Sequence, residues 1–190
     1  MDKTSNLTGK MLIAMPSMRD PRFEQAVILI CAHSEDGAMG LVVNRPLPEI
    51  GFPDLLAQLG IQPGEDVLDI PVRFGGPVEP GRGFVLHRAP RDIVLDENRM
   101  RISDDLAMST TRDILEDFAR GQGPQPAVLA LGYAGWGPGQ LDSEIRGNGW
   151  LTSDQGDEII FGADDPGKWR AALKSLGVDP LMLSPDAGHA

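Results

Sequence analysis

The chain has 190 residues, 41% of them hydrophobic and 24% charged, which is typical of a globular protein with one domain or two small ones. Its 17 basic and 28 acidic residues give a net charge of −11, and no Lys/Arg-rich run is present, so direct binding of nucleic acid is disfavoured. A single cysteine excludes an intrachain disulfide. The apolar run Met11–Met15 is too short for a signal-peptide core, and no run approaches the ~18 apolar residues of a membrane span, so we expect a soluble cytoplasmic protein.

The first part of the chain is typical of strands with one short helix. Leu12–Met15 is a short apolar run that Pro16 ends, which predicts a strand. Ala26–His33 and Ala38–Asn44 are apolar and rich in β-branched residues, and the turn sequence SEDG lies between them, so together they predict a hairpin. The segment PDLLAQLG predicts a short helix that Gly60 ends.

The middle of the chain continues with strands and then a helix. PVRFGGPVEPGRGFVLH predicts two short strands around a Gly/Pro loop, and RMRIS predicts a further strand. TTRDILEDFARG predicts the clearest helix of the chain, capped by Thr110 or Thr111 and ended by Gly121.

In the last part, strands and helices alternate. AVLALGY predicts a strand, GPGQLDSEIRG a helix with Pro138 near its first position, and DEIIFG a strand. DDPGKWRAALKSLG predicts a helix with Asp165 as its N-cap and Pro166 at its first position, and the last ten or so residues are expected to form a tail. Hairpins followed by alternating strands and helices indicate the α+β class.

The common catalytic motifs are not found in the sequence. It contains no G-x-S-x-G, no H-E-x-x-H and no G-x-x-x-x-G-K-[ST], which disfavours the usual serine hydrolase, zinc protease and P-loop chemistries. The sequence therefore predicts neither a bound metal nor a cofactor.

Cys31 and His33 are two residues apart on a predicted strand, so regular alternation places both side chains on one face. A thiolate beside an imidazole could act as a nucleophile with its base or contribute to a metal site. Two residues are too few for a zinc site, however, and free cysteine is among the most buried residue types. The composition favours Cys31 as a small core residue.

His87 ends the predicted strand GFVLH and has two interpretations. It could serve as a general base, but a lone histidine of this kind is more often a hydrogen-bonded structural residue. The sequence Asn44-Arg45-Pro46 also has two interpretations. Arg45 could bind a carboxylate or phosphate, or the three residues could form a turn that ends the strand.

The stretch VLALGYAGWGPGQLDSEI joins a predicted strand to a predicted helix through a glycine-rich segment, an arrangement that can offer free amides to an anion. Its glycines are spaced G-x-G-x-G rather than G-x-G-x-x-G, and Pro138 removes one amide, so a dinucleotide site is disfavoured. Tyr133 and Trp136 either bind a ligand or pack on a sheet edge. Gln140 and Glu144 share one polar helix face, and with Trp136 they form the most site-like group in the chain.

These segments, taken together, resemble the AlgH/YqgE family of bacterial proteins. The resemblance rests on the segments MLIAMPSMRDPRFEQAVILICAHSEDGAMGLVVNRP, GGPV, GFVLH, LGYAGWGPGQLDSEI, GNGWL and the terminal GHA. The residues that match the family pattern are Asp20, Pro21, Phe23, His33, Asn44, Pro46, Gly75, Gly76, Pro77, His87, Gly132, Tyr133, Trp136, Gln140, Glu144 and Trp150.

The resemblance implies a compact α+β fold, with a bifurcated or barrel-like mixed sheet surrounded by helices, in a single domain that spans residues 1–190 apart from the tail. It also implies a cytoplasmic bacterial protein, and it brings no catalytic role for any matching residue. Some family members carry the label of transcriptional regulators. No helix-turn-helix with a basic recognition helix is evident here, so such regulation is not expected to use direct DNA contact.

Three functional hypotheses follow. The first is a regulatory module that binds an unidentified small molecule or protein partner, through Asn44, Arg45, His87, Tyr133, Trp136, Gln140 and Glu144. The second is an enzyme that uses His87 or Glu144 as acid–base, with Cys31 as a nucleophile. The third is a transcriptional regulator that does not bind DNA directly.

Overall fold

A computed structural model describes residues 6–89, 99–110, 112–154 and 156–183. The strands are β1 Met11–Ala14, β2 Val27–Ser34, β3 Gly37–Val42, β4 Val72–Phe74, β5 Val78–Arg88, β6 Arg99–Ser103, β7 Leu106–Ser109, β8 Ala127–Trp136 and β9 Trp150–Ser153. The α-helices are α1 Phe52–Gln58, α2 Arg112–Ala119, α3 Gln140–Arg146, α4 Asp157–Phe161 and α5 Lys168–Ser175. Short 3-10 turns span Asp165–Gly167 and Pro180–Leu183.

The nine strands of the described residues form one mixed sheet, and the expected α+β class with a bifurcated sheet is confirmed. The strand order is β6-β7-β5-β8-β3-β2-β1-β9, and β4 pairs with β8 outside this path. The sheet divides along one edge of β8, where the first half pairs in parallel with β4 and the second half pairs antiparallel with β3. The opposite edge of β8 pairs with β5.

The sheet curls around its largest core. Seven strands, from β6 to β1, contribute buried side chains to this core, together with Ile160 of α4 and Trp169 of α5. Gly9, just before β1, lies against the Ile102 carbonyl of β6, although five strands separate β1 from β6 in the sheet. A second core packs α1 and α2 on the other face of β5 and β8, and a third packs α3 beside β1, β2 and β9. The result is the half-barrel with surrounding helices that the resemblance implied.

Buried polar contacts fix α5 to the sheet. The Lys168 ammonium donates to the Val43 carbonyl at 2.9 Å and lies 2.7 Å from the Asp165 carboxylate. The Arg73 guanidinium contacts the same carboxylate at 3.1 Å and donates to the carbonyls of Ile160 and Gly162. Arg73 and Lys168 are only 2% and 3% exposed, so protein groups replace water around both cations.

The predicted strand at DEIIFG is wrong. These residues form α4, in which Asp157 and Glu158 occupy the first turn and Ile160 points into the core. A short apolar run does not distinguish a strand from a single helical turn, because five residues hold too few repeats of either period.

Several boundaries also differ from the sequence predictions. The N-cap of the segment that leads into α5 is Asp164, whose carboxylate accepts from the Gly167 amide, so the prediction of Asp165 is wrong; Asp165 is buried among cations instead. Pro138 lies outside α3, which begins at Gln140 after Gly139. Strands β7 and β9 were not predicted, and β5 is much longer than predicted. Thr111 and the C-terminal tail lie outside the described residues.

Across the described ranges, no helix is both long enough and apolar enough to cross a membrane.

Candidate ligand-binding site

Trp136 ends a strand rather than lying in a loop. It is the last residue of β8, is buried, and contacts Trp150 edge-to-face with ring centroids 6.2 Å apart. Phe23 also contacts Trp150 edge-to-face, with ring centroids 5.9 Å apart. The interpretation of Trp136 as an aromatic side chain that packs on the sheet is therefore the one that the structure supports.

Gln140 and Glu144 hold this aromatic corner in place. The Gln140 Oε1 atom accepts from the Gly137 amide at 3.0 Å, which closes the turn into α3. The Glu144 Oε1 atom accepts from Trp150 Nε1 at 3.4 Å, whereas its Oε2 atom is buried and has no protein partner among the described residues. Both side chains thus support the packing of this corner.

Asn44 and Arg45 brace the loop that precedes β2. The Asn44 side chain accepts from the Val27 amide at 2.9 Å and donates to the Gln25 carbonyl at 2.8 Å. Arg45 donates to the Glu24 carbonyl at 2.9 Å, and burial lowers the pKa of its guanidinium. These contacts agree with the interpretation of the Asn-Arg-Pro sequence as a turn that ends the strand.

His87 is a buried, hydrogen-bonded residue. Its Nδ1 atom lies 2.9 Å from the Arg88 carbonyl oxygen and its Nε2 atom 2.9 Å from the Ser109 hydroxyl, while burial lowers the pKa of the imidazole. His87 pairs with Ala127 at the start of β8, and Trp136 is at the opposite end of that strand. At about 3.3 Å per residue, the length of β8 keeps His87 far from the aromatic corner.

Cys31 and His33 lie on opposite faces of the sheet, because the ladder between β2 and β3 shifts register between Ile30 and Ala32. Such a bulge adds one residue and reverses the alternation beyond it. Cys31 packs in the largest core, where burial raises the pKa of its thiol to about 12. His33 faces α3 instead, where its Nε2 atom lies 3.8 Å from the Asp142 carboxylate. The prediction that Cys31 and His33 share a face is wrong. Cys31 is a core residue, as the burial preference of free cysteine favours.

A similar irregularity turns Tyr133 away from Trp136. Leu129 and Leu131 of β8 pack in the core beside α1 and α2, but Tyr133 packs against the largest core on the other face. Gly132 lies between Leu131 and Tyr133, with φ +75°, a left-handed conformation that favours glycine. Since Trp136 packs in the third core, beside α3, the sequence-predicted aromatic pair does not form one site.

Tyr133 instead lines an open cavity of about 390 Å³, which we call the mouth cavity. Its walls come from six strands that are consecutive in the sheet, β6, β7, β5, β8, β3 and β2. The lining residues are Ala32, Met39, Arg82, Phe84, Met100, Met108, Thr110 and Tyr133. The cavity lies at one end of the curled face, a usual place for ligand sites in barrel-like proteins.

The mouth cavity is apolar apart from a few groups. Phe84 and Tyr133 contact each other edge-to-face with ring centroids 5.9 Å apart. Arg82 is the single charged residue among the lining residues that the structure describes. Its guanidinium carbon lies 5.1 Å above the centre of the Phe84 ring, and one nitrogen lies 3.4 Å from the Glu79 carboxylate. Such a lining suits an apolar ligand body and one polar or charged group.

Sequence reasoning found only Tyr133 among these residues. Arg82 and Phe84 are two residues apart in GRGFVLH, which indicates that they share one face of a strand. Sequence alone, however, does not reveal which strands are neighbours in the sheet. The three methionines gave no signal, because methionine is equally common in ordinary cores. No group of three or more His, Cys, Asp or Glu side chains within the described ranges is arranged to hold a metal ion.

Comparisons with known proteins agree with this fold. A family model described as AlgH-like matches residues 11–181. A UPF0301 protein of Paracoccus denitrificans is 90% identical over the full length of both chains, and one of Cereibacter sphaeroides is 54% identical over 97% of this chain and 100% of its own.

Two solved structures also match. The solution structure of the AlgH protein from Pseudomonas aeruginosa has a TM-score of 0.78 and 39% identity, covering 100% of this chain and 99% of its own. A crystal structure from Corynebacterium diphtheriae shares the fold, with a TM-score of 0.72 and 21% identity over 93% of this chain and 91% of its own. The chain therefore belongs to the AlgH-like family.

Proposed function

We propose that the protein is a cytoplasmic regulatory module that binds a small, largely apolar ligand in the mouth cavity. The observation that carries this proposal is that six consecutive strands each contribute lining side chains to one cavity. A site built on strands is held by the backbone ladder, which favours a preformed pocket.

The geometry supports binding better than catalysis. Cys31 is buried with a raised thiol pKa, so its reactive thiolate is disfavoured. His87 bonds with Ser109 of β7 on the opposite face of the sheet, and Glu144 of α3 bonds with Trp150 of β9. Acid–base and nucleophilic catalysis need these groups within hydrogen-bond reach of one another, and each has a separate structural partner instead.

The cavity volume sets the ligand size. At about 30 Å³ per water-sized group, a volume of 390 Å³ accommodates roughly a dozen non-hydrogen atoms. Three flexible methionine side chains in the lining would let the cavity adapt to ligands of different shape.

The test is a thermal-shift titration with 1-decanol as an uncharged apolar probe. At 100 times its Kd, a ligand adds about 2.7 kcal/mol to the free energy of unfolding, which raises the midpoint. Ala32→Phe and Thr110→Trp each add an aromatic ring at the wall of the cavity. The control, Ser143→Phe, adds an aromatic ring on the exposed face of α3, away from the cavity.

We expect 1-decanol to stabilise the wild type and Ser143→Phe and to leave both cavity variants unchanged. Thr110 is exposed, so its variant should fold even if Ala32→Phe does not. Equal stabilisation of all four proteins, or of none, would contradict a ligand site at the mouth cavity.

A further inference from the structure

We infer that the ligand of the mouth cavity is a single-chain amphiphile with an anionic head group, a carboxylate or a phosphate, that binds Arg82. This inference rests on the proposed function and adds the chemistry of the ligand's head. It also assigns a role to Glu79, which competes with the ligand head for the same guanidinium.

The position of Arg82 results from an interruption in the sheet. Between the pairs Val78–Tyr133 and Gly83–Leu131, four residues of β5 lie opposite the single residue Gly132 of β8. The extra residues form a protrusion at the rim, and Arg82 is the last of them. The chain therefore departs from regular pairing where it brings a cation to an otherwise apolar cavity.

Phe84 holds the Arg82 guanidinium at that rim. The two residues are two apart on one strand, so their side chains share a face, and the guanidinium carbon lies 5.1 Å above the ring centre. Phe84 is only 2% exposed, which makes its ring a fixed support. A guanidinium stacked in this way keeps N–H groups at its edge for a carboxylate or phosphate.

Glu79 is a weak competitor. Its carboxylate lies 3.4 Å from the guanidinium, and both side chains are 55% exposed, so solvent screens the pair. A ligand anchored by its apolar body can present two oxygens to the guanidinium in a bidentate arrangement, which a single long contact to Glu79 does not match. The exchange of one carboxylate for another keeps the charge of Arg82 compensated.

The test compares four probes that share a decyl chain: undecanoate, decyl phosphate, 1-decanol and decyltrimethylammonium. Their dissociation constants are measured by calorimetry for the wild type, Arg82→Gln, Arg82→Lys and Glu79→Gln. Because a hydrogen bond to a charged group contributes more than a neutral one, we expect at least one anionic probe to bind about tenfold more tightly than 1-decanol. Decyltrimethylammonium should bind more weakly than 1-decanol.

Arg82→Gln should abolish the preference for the anionic probe, because it weakens binding of that probe much more than binding of 1-decanol. Arg82→Lys should restore part of the preference, because it restores the charge without the bidentate geometry. Glu79→Gln should strengthen binding of the anionic probe by a few-fold, because the competing carboxylate is removed. All three substitutions are at exposed positions, and unchanged circular dichroism would show that the fold is retained.

The outcomes separate the two claims. Suppose that 1-decanol binds as tightly as both anionic probes, and that Arg82→Gln changes none of these affinities. The inference of an anionic head group would then be wrong, whereas the proposal of an apolar site would stand. If none of the four probes binds, or if Thr110→Trp does not weaken their binding, the mouth cavity is not the ligand site and both claims fail.

Discussion

At the residue scale, two local irregularities decide which side chains face the mouth cavity. The bulge after Ile30 turns Ala32 to the cavity face and His33 to α3. The left-handed Gly132 turns Tyr133 to the cavity face, although Leu131 faces the other core. Without these two irregularities, the regular alternation of side chains along β2 and β8 would place different residues at the site.

Gly132 gives a direct test of this view. In Gly132→Ala, the added methyl group would overlap the Gly76 carbonyl oxygen, and the backbone would be strained at φ +75°. Gly139→Ala is the matched control, because Gly139 has φ +71° with open space around it. The control should lower the free energy of unfolding by about 1–2 kcal/mol, and Gly132→Ala by at least about 1 kcal/mol more.

Urea unfolding followed by circular dichroism would measure both free energies. Equal losses for the two variants would show that the contact with Gly76 has no energetic role.

The residue scale also shows where sequence reasoning succeeds. Composition correctly favoured a core role for Cys31, because burial preference is a property of the residue type. The faces of His33 and Tyr133 were out of reach, because counting by two assumes an unbroken ladder. The side chains of Asn44 and His87 bond with residues distant in sequence, Val27 and Ser109, so their partners could not be predicted either.

At the element scale, α5 depends on the buried cluster of Arg73, Asp165 and Lys168. Two cations share one carboxylate, and burial is the largest influence that lowers the pKa of Lys168. Removing one member of a buried ion pair leaves an uncompensated charge, which typically costs about 3–5 kcal/mol.

We therefore expect Asp165→Asn to lower the free energy of unfolding by about 3–5 kcal/mol. Asp164→Asn changes the same group at the neighbouring, exposed position, where the side chain caps Gly167 and is the smallest of the influences on the pKa of Lys168, so its cost should stay at about 1 kcal/mol or less. Thermal and urea unfolding of the two variants would check the difference. A loss for Asp165→Asn no larger than that for Asp164→Asn would contradict a role for the cluster in holding α5.

Element prediction was reliable where a segment had several periods or clear end signals. The helices at α1 and α2 and the β2–β3 hairpin meet this condition, and the structure contains all three. The failure at α4 has the opposite cause, because its five residues gain their helical form from the packing of Ile160 and from Arg73, which binds the Ile160 carbonyl. Tertiary contacts of this kind leave no local pattern.

At the scale of the whole molecule, β8 is the strand on which the sheet depends. Its first half pairs with β5 on one edge and with β4 on the other. In the part of the chain that the structure describes, β6 and β9 each pair with a single neighbour. Strands bonded on both edges open only when larger parts of a protein unfold.

Hydrogen exchange should reflect this arrangement. We expect the amides of residues 128–131 to exchange most slowly, at rates close to those set by global unfolding, and those of β6 and β9 to exchange faster. Exchange followed by NMR or mass spectrometry would give the ranking. Faster exchange in residues 128–131 than in β9 would contradict a central role for β8.

The strand order explains why the site itself was not predictable. The α+β class follows from the succession of elements along the chain, but the mouth cavity depends on β6, β7 and β5 lying beside β8 and β3. Those neighbours are set by side-chain packing across the whole fold. Tyr133 was found because it lies in the glycine-rich segment between a predicted strand and a predicted helix, whereas nothing in the sequence connects Phe84 or Met108 with that segment.

The pairing of β1 with β9 also affects how the protein is made. Met11 pairs with Ser153, so one edge of the apolar strand β1 has no partner until β9 is synthesised, much later in translation. Until then, the nascent chain carries an open strand edge, the feature through which unfinished chains most readily join one another. Chaperones that shield such edges would therefore matter most to this protein before Trp150 has emerged.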